Sequence, residues 1–168
     1  SLAANADQKD TDEDGKVRRY QLDAFGRNKV IQEVDGANTY VTAFKYDLAG
    51  NLTHITNHNS EIIYFGHDDV GNVVAMADPH LGQWTYQRDK AGRVREQIDG
   101  KGQKVVFNFG ATLSRLSTKQ VYNAATQLVA TATYTYDSGD ANYTVYKGEL
   151  FQVTDSEGWE KNGYDSRG

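Results

Sequence analysis

The sequence predicts an all-β fold, serial antiparallel β-hairpins forming a twisted, curved ribbon, and three observations predict it. The first is a phrase: Tyr46-Asp47-Leu48-Ala49-Gly50-Asn51-Leu52 returns as His67-Asp68-Asp69-Val70-Gly71-Asn72-Val73 and again as Arg88-Asp89-Lys90-Ala91-Gly92-Arg93-Val94, 21 residues apart both times. A fixed period of that size marks a repeat architecture, in which each unit buries its apolar face only against its neighbours. The second is alternation between the phrases, with Tyr40, Thr42, Phe44 and Tyr46 on one side and Val41, Ala43 and Lys45 on the other, the period of a strand. The third is composition: 16 Gly stand beside a single Pro, and Tyr is abundant at 11, which suits many tight turns and packed strand faces.

Taken in order, residues 1–11 read as a flexible acidic leader. Asp7, Asp10, Asp12, Glu13 and Asp14 against Lys9 place most of the formal net charge of −5 in this opening stretch. Residues 12–110 read as regular repeats, with strands expected near Val17 to Gln21, Lys29 to Val34, Thr39 to Tyr46, Leu52 to Thr56, Ile62 to Gly66, Val73 to Ala77, Trp84 to Gln87, Val94 to Ile98 and Lys104 to Phe109. The turns between them have a local chemistry: the Asp of Asp-x-x-Gly accepts backbone N–H groups of its own turn, and the Gly supplies a positive φ. Tyr20, Asp23 and Gly26 give an earlier version, 24 residues before Asp47 and so with three residues inserted. A second Asp follows the first by ten residues, Asp78 after Asp68, Asp99 after Asp89 and Asp165 after Asp155, so a unit holds two turns and two strands.

Residues 111–168 read as degenerate repeats. Gly110 stands where the next Asp is due, Gln127 to Tyr136 alternates as a strand, and residues 137–147 form an enlarged loop before Gly148-Glu149-Leu150 restarts the pattern. Tyr136 and Asp137, then Tyr164, Asp165 and Gly168, carry the motif again. Ser1 in place of Met, and a stop at the glycine of a unit whose next strand is missing, predict a segment excised from a longer array.

The succession Tyr-Asp-x-x-Gly-Asn/Arg-Leu/Val, strand, Asp-x-x-Gly, aromatic strand, and Tyr-Asp again resembles the YD repeat, also called the Rhs repeat. The resemblance covers Asp12 to Gly110 and, in part, Tyr134 to Gly168. That family includes bacterial Rhs polymorphic toxins, the B and C components of insecticidal Tc toxins, wall-associated bacterial proteins and the teneurins. It implies an arc of a shell that encloses toxin or effector cargo, from a secreted or cell-surface protein. The partners implied are neighbouring repeats of the parent chain and the enclosed cargo polypeptide, with self-association of the isolated segment through open edges.

Chemistry is sparse beside this architecture. The 168 residues hold no Cys, so there is no disulfide framework, thiolate nucleophile or cysteine-built zinc site. No Gly-x-Ser-x-Gly elbow, phosphate loop or His-Glu-x-x-His occurs, and no catalytic residue, cofactor or enzyme activity is assigned. The lone Asp78-Pro79 resembles the Asp-Pro of the family's self-cleavage boundary without its surrounding elements. There is no basic stripe for nucleic acid and no apolar run long enough for a membrane helix. Asp10-Thr11-Asp12-Glu13-Asp14-Gly15 matches the opening of a calcium loop, but Gln21 stands where the bidentate Glu is needed, and Asp12 to Gly15 also fits one more repeat turn. His54 and His58 have the spacing of a helical zinc pair in a stretch patterned as strand and turn. An alternative function is a carbohydrate- or cell-surface-binding module using exposed Tyr or Trp, with Trp84 and Trp159 as the candidate platforms.

Overall fold

The computed structural model describes residues 8–13, 15–110, 114–138, 142 and 147–164. Among these are fourteen strands and no helix. The chain divides into two compact units, Ser1–Gln83 and Trp84–Gly168. The first contains β1 (Gln8–Thr11), β2 (Val17–Leu22), β3 (Asn28–Asp35), β4 (Asn38–Tyr46), β5 (Leu52–Thr56), β6 (Ile62–His67) and β7 (Val73–Asp78). Across its end runs β8 (Gly82–Arg88), and the second continues with β9 (Val94–Ile98), β10 (Lys104–Phe109), β11 (Leu116–Tyr122), β12 (Leu128–Tyr136), β13 (Leu150–Thr154) and β14 (Trp159–Lys161). The nine strands expected between residues 17 and 109 are all present, with ends moved by no more than two residues.

Within each unit every strand pairs antiparallel with the next in the chain. Gln8 lies opposite Tyr20, Tyr20 opposite Ile31, and Ile31 opposite Thr42. Gln8–Thr11, read from sequence as leader, is therefore strand, while residues 1–7 lie outside the described residues. β14 is a further addition, as is β11, whose Thr118 lies opposite Thr133 of β12. β11 follows the Gly110 turn, where the Tyr-Asp pattern lapses.

Alternation sorts the apolar residues of the first unit onto one face. Phe44 opposes Ile55, Ile55 opposes Ile63, and Phe65 opposes Met76, cross-strand pairs that are the unit of sheet stabilisation. All five side chains are half-buried. Among the described residues the only side chain that reaches full burial is Phe151, at 7% exposure. Cohesion here comes from strand ladders and from contacts between successive turns, which makes those turns the place to look for function.

Candidate functional site

The Tyr-Asp turns share one construction. At Asp23 the amide donates to the Arg27 carbonyl at 2.8 Å, and the Gly26 amide donates to the Asp23 carbonyl at 3.0 Å. The carboxylate completes the loop: Oδ1 accepts the amides of Phe25 and Arg27, and Oδ2 accepts Nε of the Arg27 side chain at 2.7 Å. The same arrangement recurs at Asp47 with Asn51, at Asp68 with Asn72 and at Asp89 with Arg93. Position five of the turn is thus Asn or Arg because it must send a side-chain N–H to the second carboxylate oxygen.

These bonds favour the charged carboxylate. The Asn51 side chain holds Asp47 below its ordinary value, and the Arg93 side chain does the same for Asp89. Burial pushes Asp23 up, but hydrogen bonds from Arg27 and Phe25 outweigh it and leave that group lowered as well.

Glycine is required at the fourth position for two separable reasons. Gly71 has φ +85°, and a Cβ there would lie 2.9 Å from Asn51 Oδ1 of the preceding turn. Gly26 has φ +79° with nothing near a Cβ. On the opposite edge Asp99 and Gly102 keep the same plan, and two turns follow it with other residues. Asn57 accepts the amides of Asn59 and Glu61 with Ser60 at φ 63°, and Asn123 accepts that of Gln127 with Thr126 at φ 61°.

Each Tyr-Asp turn also displaces the ladder behind it. Gln21 pairs with Val30 but Leu22 with Asn28, so Lys29 has no partner. Thr53, Val74 and Arg95 are skipped in the same way, six residues after Asp47, Asp68 and Asp89. These are β-bulges, which bend a strand and re-aim its side chains.

The residue just before the Asp joins one turn to the previous one. Arg27 places its guanidinium carbon 4.2 Å from the Tyr46 ring centroid, and the Tyr46 hydroxyl donates to the Asn28 carbonyl at 2.9 Å. Tyr164 repeats the second contact, donating to the Leu150 carbonyl at 2.8 Å. Arg93 lies 4.3 Å from the Phe109 ring and Arg115 lies 4.4 Å from that of Tyr136. Where position five is Asn, at Asn51 and Asn72, the next slot holds His67 and Arg88 rather than Tyr or Phe. Arginine is followed by a ring it can cover, a pairing visible in the sequence once the slot is known. Tyr20, by contrast, sits within β2, three residues before Asp23, and Leu22 fills the slot.

The enlarged loop enters this frame between its second and fourth positions. The Asp137 amide donates to the Glu149 carbonyl, and the Gly148 amide donates to Asp137 Oδ1 at 2.6 Å. Gly148, at φ +106°, thus takes the place of the turn glycine. Most of the intervening residues lie outside the described ones, as do Asp165 and Gly168.

The other candidates separate. His54 meets the Tyr64 ring edge-on at 4.7 Å and His58 meets Tyr40 at 5.1 Å, so they do not converge. Asp12 Oδ1 accepts the Lys16 amide at 2.9 Å in a repeat-type turn, and Asp14 lies outside the described residues. Among the described residues no group of three or more His, Asp or Glu side chains could hold a metal ion. Trp84 is half-buried and Trp159 is exposed.

No family model matches the chain, and no curated protein sequence matches it. Solved structures do. The crystal structure of TcdB2-TccC3 contains a chain similar to this one with a TM-score of 0.68 and 14% identity, over 83% of this chain and 8% of that one. The structure of the Photorhabdus luminescens Tc holotoxin pore contains another with a TM-score of 0.66 and 15% identity, over 90% and 8%. The chain therefore spans about 8% of the length of the chains it matches. At this identity the likeness establishes the fold, and it agrees with the resemblance to Tc toxin components carried by the Tyr-Asp motif.

Proposed function

We propose that this chain is a non-catalytic structural segment of a YD-repeat shell that encapsulates toxin or effector cargo, in a secreted or cell-surface protein. The observation that supports this reading best is the mortar between turns, in which Arg27 and the Asn28 carbonyl are both engaged by Tyr46 of the next turn. Such side chains add nothing to an isolated hairpin; they serve an array in which each repeat completes its neighbour. The near absence of fully buried side chains among the described residues fits a wall one sheet thick, whose half-buried Phe44, Ile55 and Phe65 face would lie against further repeats or cargo. Left uncovered, that face and the open strand edges favour self-association of the isolated chain. The turn carboxylates are engaged by the N–H groups of their own turns, which supports an architectural reading of them.

Limited proteolysis of the full polypeptide that carries this chain tests the reading, with the cargo segment followed by mass spectrometry. Cargo that survives while the wall is folded, and is digested once urea opens it, is the expected result. Cargo cut equally fast in both states overturns encapsulation.

A further inference from the structure

The side chains that lead into the Tyr-Asp turns follow a rule with one exception. Two residues before the slot stand Tyr20, Phe44, Phe65, Tyr86, Phe107 and Tyr134, all aromatic, and then Asn162. The asparagine gives up ring packing, and the residue after it is Gly163. We propose that, whatever the wall encloses, Asn162 is a modification site, where the side-chain amide is lost spontaneously through a cyclic imide and the backbone is rerouted as isoaspartate.

This chemistry needs a side chain not locked by hydrogen bonds, a following backbone nitrogen free to attack it, and water. Asn51, Asn57, Asn72, Asn108 and Asn123 lack the first, since each sends its side-chain N–H to an oxygen of its own turn or of the neighbouring strand. Asn59 lacks the second, because the Ser60 amide is held by the Asn57 carbonyl at 3.0 Å. Asn162 has all three. Among the described residues neither its side chain nor the Gly163 amide has a hydrogen-bond partner, and Asn162 is half-buried while Gly163 is exposed. Glycine at this place also removes the Cβ that would crowd the attacking nitrogen.

The step balances without a co-reactant other than water. The Gly163 nitrogen gives up its proton, bonds to Asn162 Cγ and expels ammonia, closing a five-membered ring. Water opening the ring at Cγ leaves aspartate; water opening it at the main-chain carbonyl leaves isoaspartate, in which the backbone runs through Cβ. Nothing is oxidised or reduced.

The consequence follows from where the site sits. The Asn162 amide donates to the Phe151 carbonyl at 2.8 Å, and the Tyr164 hydroxyl donates to the Leu150 carbonyl at 2.8 Å. Gly163 alone separates these two anchors. An extra methylene between them displaces Tyr164 from the bond by which its turn holds the chain before it, so the link between repeats loosens as the protein ages.

Incubation of the purified chain at mildly alkaline pH, followed by peptide mass spectrometry, tests this. In the folded chain Asn162 is expected to lose its amide faster than Asn59, and an isoaspartyl carboxyl methyltransferase should then label the Asn162 peptide. In guanidinium, which releases the Ser60 amide, loss at Asn59 should accelerate severalfold while loss at Asn162 barely changes. Gly163→Ala should slow loss at Asn162 by about tenfold, since a Cβ hinders the attack. The converted chain should unfold at a lower urea concentration than the fresh one. Equal protection of both asparagines by folding, an unlabelled Asn162 peptide, no slowing in Gly163→Ala, or an unchanged urea midpoint after conversion overturns the proposal.

Discussion

Arg115 pairs with Asp137 across 22 residues of chain, its Nη1 lying 3.0 Å from Asp137 Oδ1, because each lacks the partner its own turn ordinarily supplies. Gly110 stands where Asp23 and Asp89 stand, so Arg115 has no carboxylate at home. Glu149 stands where Arg27 and Arg93 stand, so Asp137 has no side-chain donor at home. Two defects in the motif thus satisfy each other across neighbouring turns.

That pair sets a pH dependence. The Arg115 side chain, then the Gly148 amide, lowers Asp137 from 3.8 to about 2. A folded value below the unfolded one means that the contribution is fully present above about pH 4 and is lost as the pH falls toward about 2. Asp137→Asn should therefore be less stable than the parent at pH 6 and nearly equal to it at pH 2, by urea midpoints. A gap constant with pH would remove the ion pair from the explanation.

Tyr46→Phe deletes the hydroxyl that reaches Asn28 and should cost about 1 kcal/mol. In a double-mutant cycle, Arg27→Met and Tyr46→Leu should couple by about 0.5–1 kcal/mol through the ring contact. Strict additivity in thermal melts would show that the two turns are not joined there.

Alanine should be worse at Gly71 than at Gly26. Both substitutions put a Cβ at positive φ, costing roughly 1 kcal/mol, but only at Gly71 does it meet Asn51 Oδ1, at 2.9 Å. In an Asn51→Ala background, which by itself loses the bond to Asp47, Gly71→Ala should cost no more than the φ term. Equal melting temperatures for the two single variants would count against this account.

Thr126→Gly should stabilise the chain by up to about 1 kcal/mol, since a β-branched residue at φ 61° is strained. Ser60→Gly, at φ 63°, should gain less. Loss of stability in both would mean that side-chain contacts outweigh backbone strain.

Replacing residues 138–147 by two residues should give an ordinary Asp-x-x-Gly turn, because the Asp137 amide already meets the Glu149 carbonyl and the Gly148 amide already meets the Asp137 carboxylate. A shorter loop costs slightly less to close, so the melting temperature should hold or rise. A collapse of the far-UV strand signal would show that the loop itself supports β13.

Much of the fold was legible because its signals are local. Asp-x-x-Gly at 21-residue steps marks turns, and alternation marks what lies between. Legibility failed where the motif was paraphrased. Asn123 and Thr126 replace the Asp and Gly of a turn, so β11 passed unnoticed, and Gly110 removes the Asp that would have announced it. The Arg27–Tyr46 contact was hidden for a different reason: it joins positions 19 residues apart and belongs to no single strand or turn pattern. The acidic string at 10–15 matched a metal loop by spacing, but Asp12 spends Oδ1 on the Lys16 amide.

The sequential pairing of strands also bears on how such a chain acquires its structure. All-β proteins usually fold slowly because distant segments must meet before any contact rewards them. Here each strand's partner is the next one made, so in either unit a hairpin can close as soon as its second strand exists, on the microsecond scale typical of hairpins. Synthesis at about 5–20 residues per second delivers a new strand far more slowly than that. The ribbon can therefore be laid strand by strand behind the ribosome, with the finished Asp23 turn offering Arg27 to a Tyr46 not yet translated.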